Sequence, residues 1–426
     1  MVFPTSTEQI SEIHKYCFKN EISIIPFGQG SGFEGGVVNS NFDDRPTVTI
    51  DLMKNMTQVL EIHGAPDRYA KVQAGVQREI LNEYIRDTGL WFPIDPGANA
   101  TIGGMTATSA SGTNAVKYAT MKENVINLRA VLPDGTIIDS AGEGRSFIKS
   151  SAGYNLTELF TGSEGTLGTI SEVTVRLHPI ESHLIAASCK FESIESATLA
   201  AQQILSLGVP VARLEFLDEI ALECVSGENP DCKAALYFEL SSSSEDFLKE
   251  QIDSINWLCE ENGSFGFKSS TSLEERSKIW NARHRAYWSM IKKFQYGRNR
   301  KGYSTDVCVP ISRVGDCIIK SKELVKNSKY LNKCGGIIGH IGDGNFHVFF
   351  GVDTTDEKEF AELKYLSNEI ANLALENNGT ITGEHGIGLG KKHLLEKEVG
   401  KGSYDLMKLI KSTIDPKNIM NPGKIF

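Results

Sequence analysis

The sequence has no surplus of basic residues, no apolar run long enough to cross a membrane, and no closely spaced pair of cysteines. Asp and Glu number 54 against 44 Lys and Arg, a formal net charge of −10, which argues against a nucleic-acid-binding protein. The apolar runs fall short of the roughly 20 residues that a membrane helix needs. The eight cysteines are scattered without a CxxC spacing, a pattern typical of reduced thiols in an intracellular enzyme rather than of a secreted scaffold.

Length and glycine content are what the sequence does have. A chain of 426 residues exceeds one ordinary hydrophobic core, so we expect two or three domains. Its 40% hydrophobic and 23% charged residues are typical of a globular protein and exclude a disordered or fibrous chain. The opening residues, MVFPTSTEQI, contain neither a signal-peptide core nor an arginine-rich transit segment.

The pattern of predicted elements changes near residue 178. Before it, short apolar runs at 22–27 and 47–52 flank a glycine-rich stretch. After it, strands alternate with long amphipathic helices, which is typical of an α+β domain with helices on a largely antiparallel sheet. The predicted helices cover 193–207, 244–262, 271–293, 312–328 and 357–378, and the predicted strands cover 184–191, 210–217, 233–241 and 302–309. The glycine-rich final stretch is expected to return to the first domain.

The first glycine cluster matches a nucleotide-binding fingerprint in letters but not in context. Residues 30–35, GSGFEG, satisfy GxGxxG, and Asp51 follows at the distance of a ribose-binding acid. A Rossmann unit needs a helix next, whereas VVNSNFDDRP has no helical period and carries a proline. Several close glycines still let backbone N–H groups converge on a phosphate. An irregular turn is the alternative, but the second small-residue stretch at 95–112 favours a large phosphate-bearing cofactor.

Two histidines flank a strong turn signal in GHIGDGNFHVFF. Asp343-Gly344 between apolar strand residues is typical of a two-residue hairpin loop, which would place His340 directly opposite His347. Opposite residues on one face have Cβ atoms about 5 Å apart, so both imidazoles would bind one divalent cation. The alternative is a pair of structural histidines bonded to backbone groups, and a wider loop would shift the register.

The segment Gly383-Glu384-His385-Gly386 supplies the other groups that such a centre needs. A carboxylate from Glu384 would be the third protein ligand, and His385 would be the general base, because histidine is the side chain whose ordinary pKa is near neutral. The alternative is a polar loop that follows a helix.

A helix predicted from residue 271 carries an arginine–aromatic face. Arg276, Trp280, Arg283 and Tyr287 recur at helical spacing. Such a face is often an ordinary surface with snorkelling side chains. If it lines a pocket instead, Arg283 would hold a carboxylate by a two-pronged hydrogen bond.

Taken together, these residues resemble the vanillyl-alcohol-oxidase-type flavoproteins, and within them the branch of the cytochrome-type D-lactate dehydrogenases. The resemblance runs nearly end to end through PFGQGSGFEGG, GLWFPIDPGANATIGGMTATSASGTNAVKYATMKENV, AGYNLTELFTGSEGTLG, VPVARLEFLDE, KGYSTDVCVPIS, GHIGDGNFH, TGEHGIGLGKK and DPKNIMNPGK. It implies an α+β fold with a two-subdomain VAO/PCMH-type FAD-binding domain and an α+β cap with a largely antiparallel sheet flanked by helices. The implied boundaries are 1–178 for the FAD-binding domain, 179–383 for the cap, and 384–426 for the return to the flavin domain.

The resemblance also implies roles for single residues. The FAD-binding residues would be Gly28, Gln29, Gly30, Ser31, Gly32, Pro96, Gly97, Gly103, Gly104, Ser111, Gly112, Asn114, Glu164, Gly165, Ile170 and Asn421. A divalent metal, zinc or manganese, would be bound by His340, His347 and Glu384. His385 would be the catalytic base and Arg283 would bind the substrate carboxylate.

The implied activity is oxidation of a D-2-hydroxy acid, with D-lactate preferred, to a 2-oxo acid in the mitochondrion. Electrons would pass from FAD to a respiratory carrier such as cytochrome c. Sister enzymes acting on D-2-hydroxyglutarate or glycolate share this machinery, but the hydroxyglutarate enzymes resemble one another in having Asn where this chain has Phe349. An NAD-dependent dehydrogenase and a non-catalytic metal- or nucleotide-binding module are the rival interpretations.

Two features depart from the family's pattern. The family's chains carry a segment with a targeting peptide ahead of their VFP-like residues, whereas this sequence opens with them. Relatives also read Tyr-Gly where this chain has Tyr118-Ala119, and a methyl group there would crowd a close backbone approach.

Overall fold

The computed structural model describes residues 1–40, 43–227, 230–294, 300–332 and 334–426. These residues form two compact units, each assembled from more than one stretch of chain. The first unit contains Met1–Gly112, Ala119–Ile180 and Glu384–Phe426, and the second contains Thr113–Tyr118 and Glu181–Gly383. The short stretch at 113–118 therefore belongs to the second unit, whereas the boundaries implied by the resemblance place it in the FAD-binding domain. Among the described residues, no helix has the length and apolar character that crossing a bilayer requires.

Helices and strands alternate along the described chain. The helices are α1 (Thr7–Asn20), α2 (Arg78–Ile85), α3 (Ile102–Thr108), α4 (Ala115–Tyr118), α5 (Met121–Asn124), α6 (Leu156–Phe160), α7 (Ile194–Ser206), α8 (Glu219–Ser226), α9 (Glu245–Glu261), α10 (Leu273–Phe294), α11 (Val314–Lys326), α12 (Glu357–Glu376) and α13 (Lys392–Ile414). The strands are β1 (Ser23–Phe27), β2 (Thr47–Asp51), β3 (Val59–His63), β4 (Tyr69–Gln73), β5 (Leu90–Trp91), β6 (Val125–Val131), β7 (Ile137–Asp139), β8 (Thr169–Arg176), β9 (His178–Pro179), β10 (His183–Phe191), β11 (Val211–Asp218), β12 (Ala234–Ser242), β13 (Phe265–Ser270), β14 (Arg300–Ser304), β15 (Val307–Cys308), β16 (Gly336–His340) and β17 (Asn345–Asp353).

The first unit is built on a five-stranded antiparallel sheet in the order β3-β4-β8-β6-β7. A separate parallel pair, β1 and β2, lies against the end of the chain. There Ile24 donates to the carbonyl of Ile419 at 2.7 Å and accepts from the backbone N–H of Asn421 at 2.7 Å. Ile24, Ile419 and Met420 share one apolar cluster, so the first and last parts of the chain fold into one core.

The second unit is built on an eight-stranded antiparallel sheet in the order β13-β10-β12-β11-β16-β17-β14, with β15 also pairing β17. Its buried cluster draws on the strands and on the apolar faces of α7, α9, α10, α11 and α12. The α+β class is therefore confirmed, and the five helices predicted after residue 178 begin and end within two residues of the predicted positions. The sequence prediction missed the short α8 and the strand β13.

Ala119, the residue that departs from the family's pattern, has a φ of 58°. This left-handed backbone conformation suits glycine and costs roughly 1–2 kcal/mol for a residue with a Cβ. The departure therefore falls at a position whose backbone geometry still favours glycine.

Candidate active site

One face of the large sheet in the second unit carries a row of polar side chains. Successive residues of a strand point to opposite faces, so Arg213 and Glu215 of β11 share one face. Glu215 lies opposite Tyr237 of β12, and His340 at the end of β16 lies opposite Asn345 of β17. The strands thus bring titratable groups from distant parts of the sequence into one neighbourhood.

Glu215 connects the helix arginine to the first histidine. Its Oε2 accepts from Arg283 Nε at 2.7 Å and lies 2.5 Å from Arg283 Nη2. Its Oε1 lies 2.7 Å from His340 Nδ1. Only 1% of Glu215 is exposed, against 8% of Arg283 and 8% of His340. A buried carboxylate therefore links two of the predicted site residues directly.

The charge state of Glu215 follows from these contacts. Burial by itself works to raise the pKa of this carboxyl, but the Arg283 guanidinium and the His340 imidazole outweigh it, and the pKa lies below its ordinary value. Glu215 is not among the site residues predicted from the sequence. Its signal was a charged pair, Arg213 and Glu215, at alternate positions of the otherwise apolar run VARLEFL, which places both charges on one face of a buried strand.

His347 is held by a second set of polar groups in the same unit. Its Nδ1 lies 3.1 Å from the carbonyl oxygen of Thr305 and 3.7 Å from a carboxylate oxygen of Asp306. Asp306 in turn accepts from the amide of Asn345 at 2.7 Å and from the hydroxyl of Thr382 at 2.8 Å. The imidazole is thus oriented through Nδ1, which makes Nε2 the nitrogen that would coordinate an ion.

The hairpin between the histidines is wider than predicted, and the predicted register is wrong. His340 pairs with Asn345, and His347 pairs with Ile338, so residues 341–344 form the loop. The shift amounts to two residues, which leaves every side chain on its predicted face because side chains alternate with period two. His340 and His347 are diagonal neighbours, with ring centroids 5.5 Å apart and ring nitrogens within 4.8 Å.

An aromatic wall borders the histidine pair. Phe349 lies two residues beyond His347 on the same strand and therefore on the same face, with ring centroids 6.0 Å apart. Its ring also makes an edge contact with Tyr287 of α10 at 5.4 Å. The surroundings of the histidines are consequently apolar on this side.

In the first unit, the glycine-rich loop after β1 has backbone N–H groups that bond to none of the described residues. The backbone N–H groups of five successive residues find no acceptor among the described residues: Gly28, Gln29, Gly30, Ser31 and Gly32. An added Cβ at Gly32 would meet no atom within 4 Å. A run of unpaired N–H groups on an open loop provides the donors that a phosphate group requires.

Glycines of both small-residue regions are tightly packed. A Cβ at Gly28 would overlap the hydroxyl of Thr101, and one at Gly103 would overlap Ala74. Gly112 is held equally closely against the backbone of Asp95. Gly104 donates to Thr101 Oγ1 at 3.2 Å. Because these glycines have no Cβ, the first loop lies directly against Thr101 of the second stretch, and the second stretch lies directly against Ala74, the residue after β4.

Other predicted FAD-binding residues of this stretch differ in exposure. Gly97 is exposed, and a Cβ there would meet no atom within 4 Å, while the neighbouring Pro96 is partly buried. Ser111 is buried. Ile170 lies in strand β8 with its side chain in the apolar core. Asn114 belongs to the second unit, where its Oδ1 accepts from Arg213 Nε at 2.8 Å.

Glu164 and Asn421 join the glycine regions to the final segment. The Asn421 amide donates to the carbonyls of Gly36 at 2.8 Å and Glu164 at 2.7 Å. The Glu164 carboxylate accepts from the backbone N–H groups of Ile387 at 2.7 Å and Gly388 at 2.8 Å. Burial raises the pKa of Glu164 above its ordinary value, although these two donors work to lower it.

Glu164 is thus bound to backbone groups of the loop that begins at residue 384, and the adjacent Gly165 has a φ of 72° and packs on Pro26. On that loop, the His385 ring lies 4.6 Å from the ring of Phe33, and its Nε2 lies 3.7 Å from a carboxylate oxygen of Glu384. The third glycine-rich segment therefore packs onto the first within one unit.

Comparison with known proteins assigns the family. Residues 1–141 match the FAD binding domain family, and residues 180–425 match the C-terminal domain of FAD linked oxidases. The chain is 46% identical over 429 residues to a "Probable D-lactate dehydrogenase, mitochondrial" of Danio rerio, covering 100% of this chain and 84% of that protein. It is 39% identical over 433 residues to "D-lactate dehydrogenase [cytochrome] 1, mitochondrial" of Saccharomyces cerevisiae, covering 100% of this chain and 72% of that protein.

Among solved structures, p-cresol methylhydroxylase superposes with a TM-score of 0.79 at 16% identity, covering 100% of this chain and 88% of that one. This likeness concerns the fold and confirms the predicted VAO/PCMH-type architecture. The chain belongs to the FAD-linked oxidases. The residues of the first unit fit that cofactor, because the loop at 28–32 offers consecutive N–H donors on an open side.

Proposed function

We propose that this protein is a flavin-dependent dehydrogenase that oxidises D-lactate to pyruvate. The observation that carries the proposal is the buried row Arg283–Glu215–His340, which sets a carboxylate-binding group beside an imidazole in a member of the FAD-linked oxidases. The names of the relatives in fish and yeast support the choice of D-lactate.

Arg283 binds the substrate carboxylate in this proposal. Glu215 occupies the edge of the guanidinium formed by Nε and Nη2. The terminal edge, with Nη1 and the second N–H of Nη2, remains for the substrate, and a planar guanidinium can hold two carboxylates on two edges. The low exposure of the site strengthens such charge-assisted bonds, since little water competes for them.

His385 takes the hydroxyl proton, because an imidazole has a pKa near the operating pH and can act as a general base. FAD, when bound at the glycine loops, supplies the acceptor for the hydride that leaves the substrate carbon. The proposed FAD-binding residues are the ones that the resemblance implies. Among them, Glu164 acts through its hydrogen bonds to the loop that carries His385.

His340, His347 and Glu384 are the proposed metal ligands. The donor set fits a divalent ion such as Zn²⁺ or Mn²⁺, since both imidazoles are oriented through Nδ1 by acceptors and would bind through Nε2. Glu384 follows directly after Gly383 in the sequence. A metal held by these residues would supply a Lewis acid that lowers the pKa of the substrate hydroxyl.

Phe349 is the proposed determinant of substrate size. Its ring lies beside His347 and Tyr287 and offers no partner to a second carboxylate, so D-lactate is preferred over D-2-hydroxyglutarate. A panel of D-lactate, glycolate and D-2-hydroxyglutarate should give the highest kcat/KM with D-lactate. A clear preference for either of the others would replace the proposed substrate and leave the reaction class intact.

FAD bound in the first unit would supply electrons to a respiratory carrier, with cytochrome c as the proposed acceptor, and the proposed location is the mitochondrion. The name of the yeast relative, which contains the words cytochrome and mitochondrial, supports an acceptor of this class and this location. Reduction of cytochrome c by the purified protein with D-lactate tests the acceptor.

A visible absorption spectrum, recorded before and after anaerobic addition of substrate, tests the reaction itself. We expect a flavin band that bleaches with D-lactate and not with L-lactate. A band that persists with every hydroxy acid would contradict the proposal and favour a non-catalytic binding module. A colourless protein that stays inactive with FAD and turns over with added nicotinamide would favour an NAD-dependent enzyme.

Variants test the assigned residues. We expect Arg283→Ala and His385→Ala each to lower kcat/KM for D-lactate by at least 100-fold, because one loses the carboxylate anchor and the other the base. Arg285→Ala, on the exposed side of the same helix, and His393→Ala, at an exposed position, are the matched controls. Near-normal kcat/KM in either active-site variant would remove that residue from the mechanism.

A further inference from the structure

Glu215 is the acceptor that the structure gives to both Arg283 and His340. Among the described residues it is the hydrogen-bond partner of the Arg283 guanidinium, and its other oxygen meets His340 Nδ1 at 2.7 Å. No part of the proposed reaction requires Glu215 to touch the substrate. Its position between the two groups, with 1% exposure, calls for a separate explanation.

We propose that Glu215 is a positioning residue that sets the geometry of the carboxylate-binding arginine and of a metal-binding histidine at the same time. The inference rests on the proposed function and deepens it, because it assigns the residue that couples the two halves of that site.

The effect on His340 follows from hydrogen-bond chemistry. A carboxylate only accepts hydrogen bonds, so His340 must donate from Nδ1 to Glu215 Oε1. A neutral imidazole carries one proton, and placing it on Nδ1 leaves the lone pair on Nε2, which is the form that binds a metal. Carboxylates behind metal-binding histidines act in this way in many metal sites.

The effect on Arg283 follows from the shape of the guanidinium. Both Nε and Nη2 point at one oxygen of Glu215, which prevents rotation of the planar group about its last bonds. The terminal edge is therefore held in one direction before any ligand arrives. Preorganisation of this kind lowers the entropy lost on binding and appears as a lower KM.

The experiment compares Glu215→Gln with a matched variant, Glu359→Gln, in the full-length protein. Glu359 is also a buried glutamate of the second unit, and it pairs with Arg300 at 2.6 Å but bonds to no histidine among the described residues. Titration of the metal-free proteins with Zn²⁺ and with Mn²⁺ should show a loss of affinity of about 10- to 100-fold in Glu215→Gln. Glu359→Gln should keep the affinity of the unaltered protein.

Steady-state kinetics at saturating metal measure the effect on Arg283 separately from the effect on metal binding. Glu215→Gln should raise KM for D-lactate about tenfold or more, since an amide nitrogen facing Arg283 or His340 replaces an acceptor by a donor. Metal affinity and KM both within twofold of the unaltered protein would overturn the inference. If Glu215→Gln does not fold, Glu215→Asp keeps the charge, and its shorter side chain should hold one partner only, with the same two readouts.

Nitrogen-15 spectra of the histidine side chains give a readout that needs neither metal nor turnover. The His340 signals are assigned by their absence from the spectrum of His340→Gln. They should show a protonated Nδ1 in the metal-free unaltered protein and in Glu359→Gln, and this signature should be lost in Glu215→Gln. A protonated Nε2 in the unaltered protein would refute the inference even if D-lactate were oxidised. Failure of the protein to oxidise D-lactate, with Nδ1 protonated as expected, would instead refute the proposed function and leave the Glu215 geometry standing.

Discussion

One buried side chain outside the candidate active site, that of His14, is expected to make the stability of the protein depend on pH. His14 in α1 is fully buried, with Nδ1 2.8 Å from the carbonyl oxygen of Leu132 and Nε2 2.9 Å from the hydroxyl of Thr169. Nδ1–H donates to the carbonyl, and Nε2 accepts from the hydroxyl, an arrangement that suits the neutral ring. Burial lowers the pKa of His14 to about 4, so the folded protein resists its protonation.

We expect the first unit to lose stability as the pH falls from about 6.5 to about 4. Over this range His14 gains a proton in the unfolded chain, at its ordinary pKa, but not in the folded protein, so the unfolded state is favoured. The difference between the two pKa values of His14 corresponds to a loss of about 3 kcal/mol in the free energy of unfolding, and this loss no longer grows below pH 4. Thermal unfolding at a series of pH values measures the loss.

His14→Gln and the exposed His63→Gln isolate this contribution from that of the carboxyl groups. The dependence of stability on pH should become shallower in His14→Gln and remain unchanged in His63→Gln. If both variants and the unaltered protein lost stability in parallel, His14 would not be the responsible group.

At the scale of an element, the hairpin of β16 and β17 decides where the two histidines meet. Gly344 in its loop has a φ of 88°, and an added Cβ would overlap the carbonyl of Val309. Gly266 in β13 also has a positive φ, 64°, but open space around its Cβ position. The two glycines therefore separate the cost of the left-handed conformation from the cost of a steric overlap.

We expect Gly344→Ala to destabilise the protein by about 2–5 kcal/mol, since the conformational cost adds to that of overpacking. Gly266→Ala should cost about 1–2 kcal/mol. Zn²⁺ affinity should fall in Gly344→Ala alone, because only that loop sets the separation of His340 and His347. Equal stabilities and equal Zn²⁺ affinities in the two variants would contradict this account.

The same hairpin shows how far a sequence prediction can go. Asp343-Gly344 correctly marked a turn between two strands, and the alternation of side chains correctly placed both histidines on one face. The loop length was wrong, because Gly342 lies against Val116 and Gly344 against Val309, and the backbone of this loop is shaped by those distant residues. Local turn statistics contain no information about such contacts.

At the scale of the whole molecule, the end of the chain completes the core of the first unit. Met420 is fully buried, and its neighbours Ile419 and Asn421 bond to Ile24 of β1. A glycine-rich return was expected from the sequence at 384–426, but the core position of Met420 follows only from the bridge to β1.

Met420→Ala should lower the stability of the first unit by about 2–5 kcal/mol, as buried methionine truncations do. Met407→Ala, at an exposed position of α13, should change it by less than about 0.5 kcal/mol. Hydrogen exchange at β1 and β2, together with flavin retention on heating, measures the effect. Unchanged protection of β1 in Met420→Ala would show that the tail is not part of that core.

The sequence by itself determined what depends on neighbouring residues and on composition. Glycine clusters predicted the loops that are proposed to bind FAD, and the failed helix after GSGFEG excluded a Rossmann unit. Strand-like runs between amphipathic helices predicted the largely antiparallel sheet of the second unit. Helical spacing also placed Arg283 on one face with Trp280 and Tyr287, while the burial of that arginine came from the tertiary structure. Each of these follows from backbone freedom or from the period of an element, which are local properties.

Only the tertiary structure decided which groups touch. Glu215, Arg283 and His340 come from β11, α10 and β16, and their contact depends on strand order, register and helix packing. The same holds for Glu164, whose carboxylate meets the backbone of a loop far along the chain. Such contacts form because burying a charge without a partner is costly, and the partner is chosen by the three-dimensional path of the chain rather than by spacing in the sequence.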